Sequence, residues 1–196
     1  MAQRLAVLAS GSGTNLQAIL DAIERGRLGA EVVLVASNKA DAPALARVSG
    51  CAVSVVPEPD EPRARYDARL AQVVAAAEPD WVVLAGWMRI LTMSFLGEFP
   101  NRVINLHPAL PGELAGTHAI ERAFAEFEAG SRTTSGVMVH LVPDEGVDTG
   151  PVLGTTDVKI LPDDTLATFE ARMHAAEHEL LVATLARLCL NEETQP

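Results

Sequence analysis

The chain has 196 residues, 48% of them hydrophobic, which suits one cored domain spanning 1–196 rather than several. Its 15 basic residues face 26 acidic ones, a formal charge of −11 that opposes general binding to nucleic acid or to an anionic membrane. A phosphorylated ligand therefore needs a local positive site. In chain order, the apolar run 5–9 reads as a buried strand that ends in glycines, and 15–25 follows as an amphipathic helix. A second strand is expected over 31–36. Asp41 is placed to cap a short helix, with Pro43 in its first turn and Gly50 past its end. A third strand over 52–56, a helix over 63–77 and a fourth strand over 81–85 complete the first half. Continuous apolar strands separated by helices predict a doubly wound, mostly parallel α/β sheet covered on both faces. In that class ligands bind beyond the carboxyl ends of the strands. A fifth strand is expected over 102–106, followed by a loop over 105–116. The second half then changes character. Residues 136–142 and 152–160 read as a strand pair joined by the polar loop 143–151. Thr165 is placed to cap a long final helix reaching about residue 190, and the polar tail 191–196 is expected to fray.

Cys51 and Cys189 lie far apart and form no metal-type spacing, so both are expected as ordinary reduced thiols in a cytoplasmic protein. No targeting segment and no membrane-length apolar run is read in the sequence.

Three segments carry candidate chemistry. Ser10-Gly11-Ser12-Gly13-Thr14-Asn15 sits between a strand and a helix. Glycines allow close backbone approach and the helix start offers unpaired N–H groups, so the segment reads as a phosphate cradle or as a plain tight turn. Leu16 stands where the dinucleotide fingerprint needs glycine, and the G-K-[ST] ending of a P-loop is absent. Asn105 and His107, followed by Pro108, are two apart on an extended backbone and so point to one side. An amide donor beside an imidazole suits oxyanion stabilisation with proton transfer. Asp144-Glu145-Gly146-Val147-Asp148-Thr149-Gly150-Pro151 is an acidic turn, either a solvated hairpin loop or the source of a carboxylate. A carboxylate delivered to the imidazole is expected to raise its pKa. His174 and His178 match the H-x-x-E-H zinc pattern, set against a polar helix face. His140 reads either as a core histidine or as support for the site.

In order and spacing, these segments resemble the glycinamide ribonucleotide formyltransferase family over nearly the whole chain. The resemblance includes Gly11-Ser12-Gly13-Thr14-Asn15, Ser37-Asn38-Lys39-Ala40-Asp41 and Leu84 through Leu91. It continues with Asn105-Leu106-His107-Pro108 and Asp148-Thr149-Gly150-Pro151. It implies a Rossmann-like formyltransferase fold with a phosphate-binding half over 1–100 and a catalytic, folate-binding half over 101–196. It also implies formyl transfer from the co-substrate 10-formyltetrahydrofolate to the amine of glycinamide ribonucleotide, without metal. By motif match, Gly11, Ser12, Gly13, Thr14, Asn15 and Glu177 would hold the acceptor. Arg63, Met88, Arg89, Ile90, Leu91 and Asn105 would hold the folate. Asn105 and a protonated His107 would stabilise the oxyanion, with Asp148 keeping His107 charged and ordering a water. The run 108–118 departs from the family, with an extra glycine and a missing proline. The implied partners are the two small molecules, with no nucleic acid or membrane, and the chain a monomer or homodimer. The rivals are a formyltetrahydrofolate hydrolase and methionyl-tRNA formyltransferase, each expected to carry an extra domain for which this chain has no room. A non-catalytic nucleotide-binding module is a third.

Overall fold

The computed structural model describes residues 2–191. The apolar runs form strands and the amphipathic stretches form helices, in the order β1 (Gln3–Leu8), α1 (Thr14–Glu24), β2 (Ala30–Ser37), β3 (Ala52–Ser54), α2 (Arg63–Ala75) and β4 (Trp81–Leu84). Then follow α3 (Met93–Leu96), β5 (Val103–His107), α4 (Ala119–Glu128), β6 (Thr134–Leu141), β7 (Val152–Lys159) and α5 (Leu166–Asn191). They build one seven-stranded sheet in the order β3-β2-β1-β4-β5-β6-β7. The first five strands run parallel, while β6 is antiparallel to β5 and β7 to β6.

Side chains alternate across a strand, so each buried strand feeds two cores. Leu5, Val7, Val83 and Ile104 pack with Leu16 and Ile19 of α1, Phe124 of α4, and Phe169 and Leu181 of α5. Ala6, Leu8, Val82 and Val103 pack with Tyr66 and Leu70 of α2 and Phe95 of α3 on the opposite face. Burying each large apolar side chain contributes about 1.5–3 kcal/mol, which is why these strands are apolar on both faces. Among the described residues, no helix is long and apolar enough to cross a membrane.

Thr165 caps α5 as expected. Its Oγ1 accepts from the Thr168 N–H at 3.2 Å, and Thr168 Oγ1 accepts from the Thr165 N–H at 3.0 Å, a reciprocal capping box. Two readings are corrected. Asp41 caps nothing: the short element is a 3₁₀ turn over Pro43–Arg47 entered from Ala42, with Pro43 in its first turn and Gly50 three residues past its end. Helix α4 adds to the expected elements: Ala119, Ile120, Ala123 and Phe124 recur at helical spacing and bury one face. Short α3 also lacked a sequence assignment. Beyond residue 191 the expected frayed tail lies outside the described residues.

Candidate active site

Strand order reverses between β1 and β4, and the segments that follow β1, β4 and β5 therefore meet beyond the sheet's carboxyl edge. They line one cleft of about 800 Å³. Gly11–Asn15 form one end, Met88–Leu91 a wall, Asn105, His107 and Asp148 a polar cluster, and Glu177 reaches in from α5. The structure thus brings together every sequence-predicted residue except Arg63. That guanidinium lies outside the cleft lining and pairs with Glu145 of the β6–β7 loop at 3.5 Å. Glu145 also accepts from the Met93 N–H at 3.1 Å, tying this loop to the start of α3.

The cluster is built by register. β5 pairs antiparallel with β6 so that Asn105 lies opposite His140. The β6–β7 loop returns Asp148 over both. Its Oδ1 accepts from the Asn105 amide at 3.2 Å and its Oδ2 from the Gly116 N–H at 2.8 Å. Oδ2 also lies 3.4 Å from His107 Nδ1, and Oδ1 lies 3.5 Å from His140 Nε2. His140 Nδ1 lies 2.8 Å from the Leu141 carbonyl oxygen, and its Nε2 lies 3.2 Å from the Asn105 amide nitrogen. His140 is thus both a buried histidine and a member of the cluster. Its membership was visible in the sequence only as a polar residue on an apolar strand.

Burial acts to raise the Asp148 carboxyl's pKa, but the His140 ring, the Gly116 N–H and His107 hold it below the ordinary carboxylate value. His107 goes the other way from expectation. Burial pushes its pKa below the usual imidazole range, and the pull of Asp148 and of the Leu114 carbonyl does not overcome it. The expectation that the carboxylate raises this pKa is therefore corrected, because burial outweighs it. The two His107 nitrogens face acceptors on both sides, Asp148 at Nδ1 and the Leu114 carbonyl at Nε2, 3.2 Å away. A neutral ring can donate to only one of them. A proton that reaches the ring thus finds two acceptors waiting.

The atypical run 108–118 folds over this cluster. It supplies the Leu114 carbonyl and the Gly116 N–H, and Arg122 holds the Ala115 carbonyl at 2.9 Å. His118 ends the run at the start of α4, with Nδ1 3.0 Å from Glu121.

Gly150 makes the loop that carries Asp148 possible. A Cβ there would stand 1.8 Å from the Leu141 carbonyl oxygen, so any side chain must displace the strand end. Gly150→Ala is expected to destabilise the fold by about 1–3 kcal/mol, the usual cost of overpacking. Activity should fall with it, and thermal melting alongside an activity assay checks both. An unchanged melting temperature would show that the loop accommodates the methyl.

On the wall formed after β4, Ser10 Oγ accepts from the Met88 N–H at 2.8 Å and donates to Asn38 Oδ1 at 2.7 Å. This gives Asn38 of the 37–41 segment a physical role. Asp67 of α2, fully buried, accepts from the Thr92 N–H at 2.7 Å and anchors the far end of the wall. Arg89 lies over the Tyr66 ring, 4.6 Å from its centroid. Ser10 and Asp67 were not legible as positioning residues, since their partners Met88 and Thr92 lie 78 and 25 positions away and no local pattern links them.

Among the described residues, no group of three or more His, Cys, Asp or Glu side chains is placed to hold a metal ion, and His174 and His178 take separate surroundings on the helix. His174 Nδ1 pairs with Glu177 at 2.6 Å, a hydrogen bond that raises the pKa of the imidazole. His178 instead lines a separate pocket of about 370 Å³ with Thr14 and Gln17. The two rings do not converge on one point.

Polar groups able to hold a tetrahedral oxyanion and move a proton, set between an N–H-lined loop and an apolar wall, are what an acyl-group transfer enzyme with two substrates requires. The chain belongs to the formyl transferase family, whose match spans residues 3–185. It is 42% identical over 204 residues to the phosphoribosylglycinamide formyltransferase of Dictyostelium discoideum, covering 96% of this chain and 98% of that protein. The phosphoribosylglycinamide formyltransferase of Mycobacterium tuberculosis is 41% identical, with 97% and 87% covered. The crystal structure of phosphoribosylglycinamide formyltransferase from Bacillus halodurans superposes with a TM-score of 0.88 at 36% identity, over 95% of each chain.

Proposed function

We propose that this chain transfers the formyl group of 10-formyltetrahydrofolate to the primary amine of glycinamide ribonucleotide. The observation that carries this reading is the position of the Asn105–His107–Asp148 cluster in one cleft between the Gly11–Asn15 loop and the Met88–Leu91 wall. The loop is suited to the acceptor's phosphate and Glu177 to the rest of the acceptor. Met88, Arg89, Ile90 and Leu91 are suited to the folate ring system, with Met88 65% exposed. Arg63 would meet the folate's carboxylate by releasing Glu145. We read the chain as one domain, with the phosphate loop in 1–100 and the catalytic groups in 101–196. The folate wall at 88–91 lies in the first half, so the two halves share that compartment.

In the reaction the amine nitrogen attacks the formyl carbon, and the carbonyl electrons move to oxygen. The amine then loses a proton, the folate nitrogen gains one, and the bond between that nitrogen and the formyl carbon breaks. His107, released from the Leu114 carbonyl, donates from Nε2 to the developing oxyanion. Asn105, whose amide faces Asp148 and His140 at rest, turns one N–H toward the same oxygen. Asp148 balances the charge on His107 as it takes up a proton, and orders the water that relays it. Metal is not needed, because the formyl group is already activated on nitrogen.

Incubating the chain with both substrates and following folate release tests the proposal. Folate released without added acceptor would identify a hydrolase instead. The rate should rise with pH from about 5.5 to about 7.5, because a free amine and a neutral His107 are both favoured as protons are removed. A flat profile of kcat/KM across that range would count against these roles.

A further inference from the structure

The Gly11–Asn15 loop is shaped by groups outside itself. Its Gly11 carbonyl accepts from the Ala44 N–H at 3.1 Å. Its Ser12 carbonyl accepts from Arg47 Nε at 2.7 Å. The same guanidinium donates through Nη1 to Gln17 Oε1 at 3.0 Å, on the first turn of α1. A trans peptide points its C=O and N–H in opposite directions. Two carbonyls drawn toward the Pro43–Arg47 turn therefore aim the N–H groups of Ser12 and Gly13 away from it. Both residues line the cleft. Neither N–H meets a protein acceptor among the described residues.

Gly13 allows this turn to press against the loop. Its φ is +74°, and a Cβ would lie 2.7 Å from Ala44 Cβ and 3.1 Å from Arg47 Nε. Close approach sets the Arg47 charge directly behind the two N–H groups. A chain of charge −11 repels a phosphate dianion at long range, so a cation at this point matters more than it would on a basic protein.

We propose that Arg47 is a positioning and specificity residue for the acceptor's phosphate. It holds the Ser12 carbonyl outward, aims the Ser12 and Gly13 N–H groups at the anion, and supplies the local positive charge. It thereby selects a phosphorylated amine over the same amine lacking phosphate. This rests on reading the acceptor as a ribonucleotide.

The first arm needs no variant. Inorganic phosphate titrated into the ¹⁵N-labelled full chain is expected to shift the Ser12 and Gly13 amide resonances with one shared affinity. In the second arm, Arg47→Gln is expected to weaken phosphate binding about tenfold, equivalent to about 1.4 kcal/mol. The KM for glycinamide ribonucleotide should rise by a similar factor, with the loss falling on that KM rather than on kcat or on the KM for formyl folate. The unphosphorylated ribonucleoside, a poor acceptor, should be used equally by both proteins. A merely structural role would affect both acceptors and both substrates. Should Arg47→Gln not fold, Arg47→Lys provides the comparison, since it keeps the charge but loses the planar fork that reaches Ser12 and Gln17 together. Phosphate shifts confined to other residues, or folded variants that bind phosphate as the wild type does, overturn the proposal. Wild-type protein that binds phosphate at these amides yet transfers no formyl group would instead overturn the functional reading and leave the phosphate assignment standing.

Discussion

Asp148→Asn is expected to lower kcat for formyl transfer about 10²–10³-fold with little change in folding. The backbone tolerates it. Asp148 has φ of +55°, a left-handed conformation that Asn adopts as readily as Asp. An amide oxygen can still accept from the Gly116 N–H now held at 2.8 Å. The lost feature is the negative charge, together with one acceptor of the pair that faces Asn105, His107 and His140. The new NH₂ would confront the Asn105 amide or a histidine nitrogen, and the cluster would lose the counter-charge that a protonated His107 needs. Single-turnover transfer with both substrates saturating measures the effect. A rate within about threefold of wild type would show that the carboxylate's charge has no part in the chemistry. The pH dependence of stability has a definite sign. The folded pKa of Asp148 is depressed below 3.8, so its contribution is complete above that value and is lost as pH falls through the folded pKa. Asp148→Asn should therefore narrow its stability gap to wild type under strongly acid conditions.

His107→Ala is expected to cost about 10²–10⁴-fold in kcat, the range for removing a positioned proton-transfer group. It should leave the KM for glycinamide ribonucleotide within a few-fold of wild type, because the phosphate loop is untouched. Loss confined to KM would place His107 in binding rather than in chemistry. This residue also makes a stability prediction. Its folded pKa lies below 6.5, so below that pH the unfolded chain takes up the proton first. More protons on the unfolded state mean that stability falls as pH falls from 6.5 toward the folded pKa. His107→Gln should melt with less pH dependence across that window than wild type. Equal slopes would mean that burial does not disfavour the imidazolium.

Both predictions depend on the resting contacts of the cluster. The Leu114 carbonyl occupies His107 Nε2, and the Asn105 amide faces Asp148 and His140. Most polar groups of the cluster already have protein partners before substrate arrives. This costs little, since burying them unpaired would cost about 1–3 kcal/mol each. It also means that substrate must replace existing partners rather than fill unpaired positions.

Local physics determined much of this protein from the sequence alone. Apolar runs 5–9, 31–36 and 81–85 became β1, β2 and β4, because a strand buried on both faces has no polar option. Thr165 capped α5, because a hydroxyl three residues from a free N–H reaches it without help from the rest of the chain. Asn105 and His107 shared one side through the period of two. Of the site residues that the family resemblance indicated, all but Arg63 line the cleft. Tertiary structure alone decided the rest. Asp148 meets Asn105 across 43 positions, and His140 joins them, only because β6 pairs with β5 in one register. Arg47 reaches Ser12 across 35 positions because the Pro43–Arg47 turn docks on Gly13. The direction of the His107 pKa shift was also beyond the sequence. Proximity to a carboxylate argues for a raised value, and the extent of burial, which no local pattern encodes, reverses it.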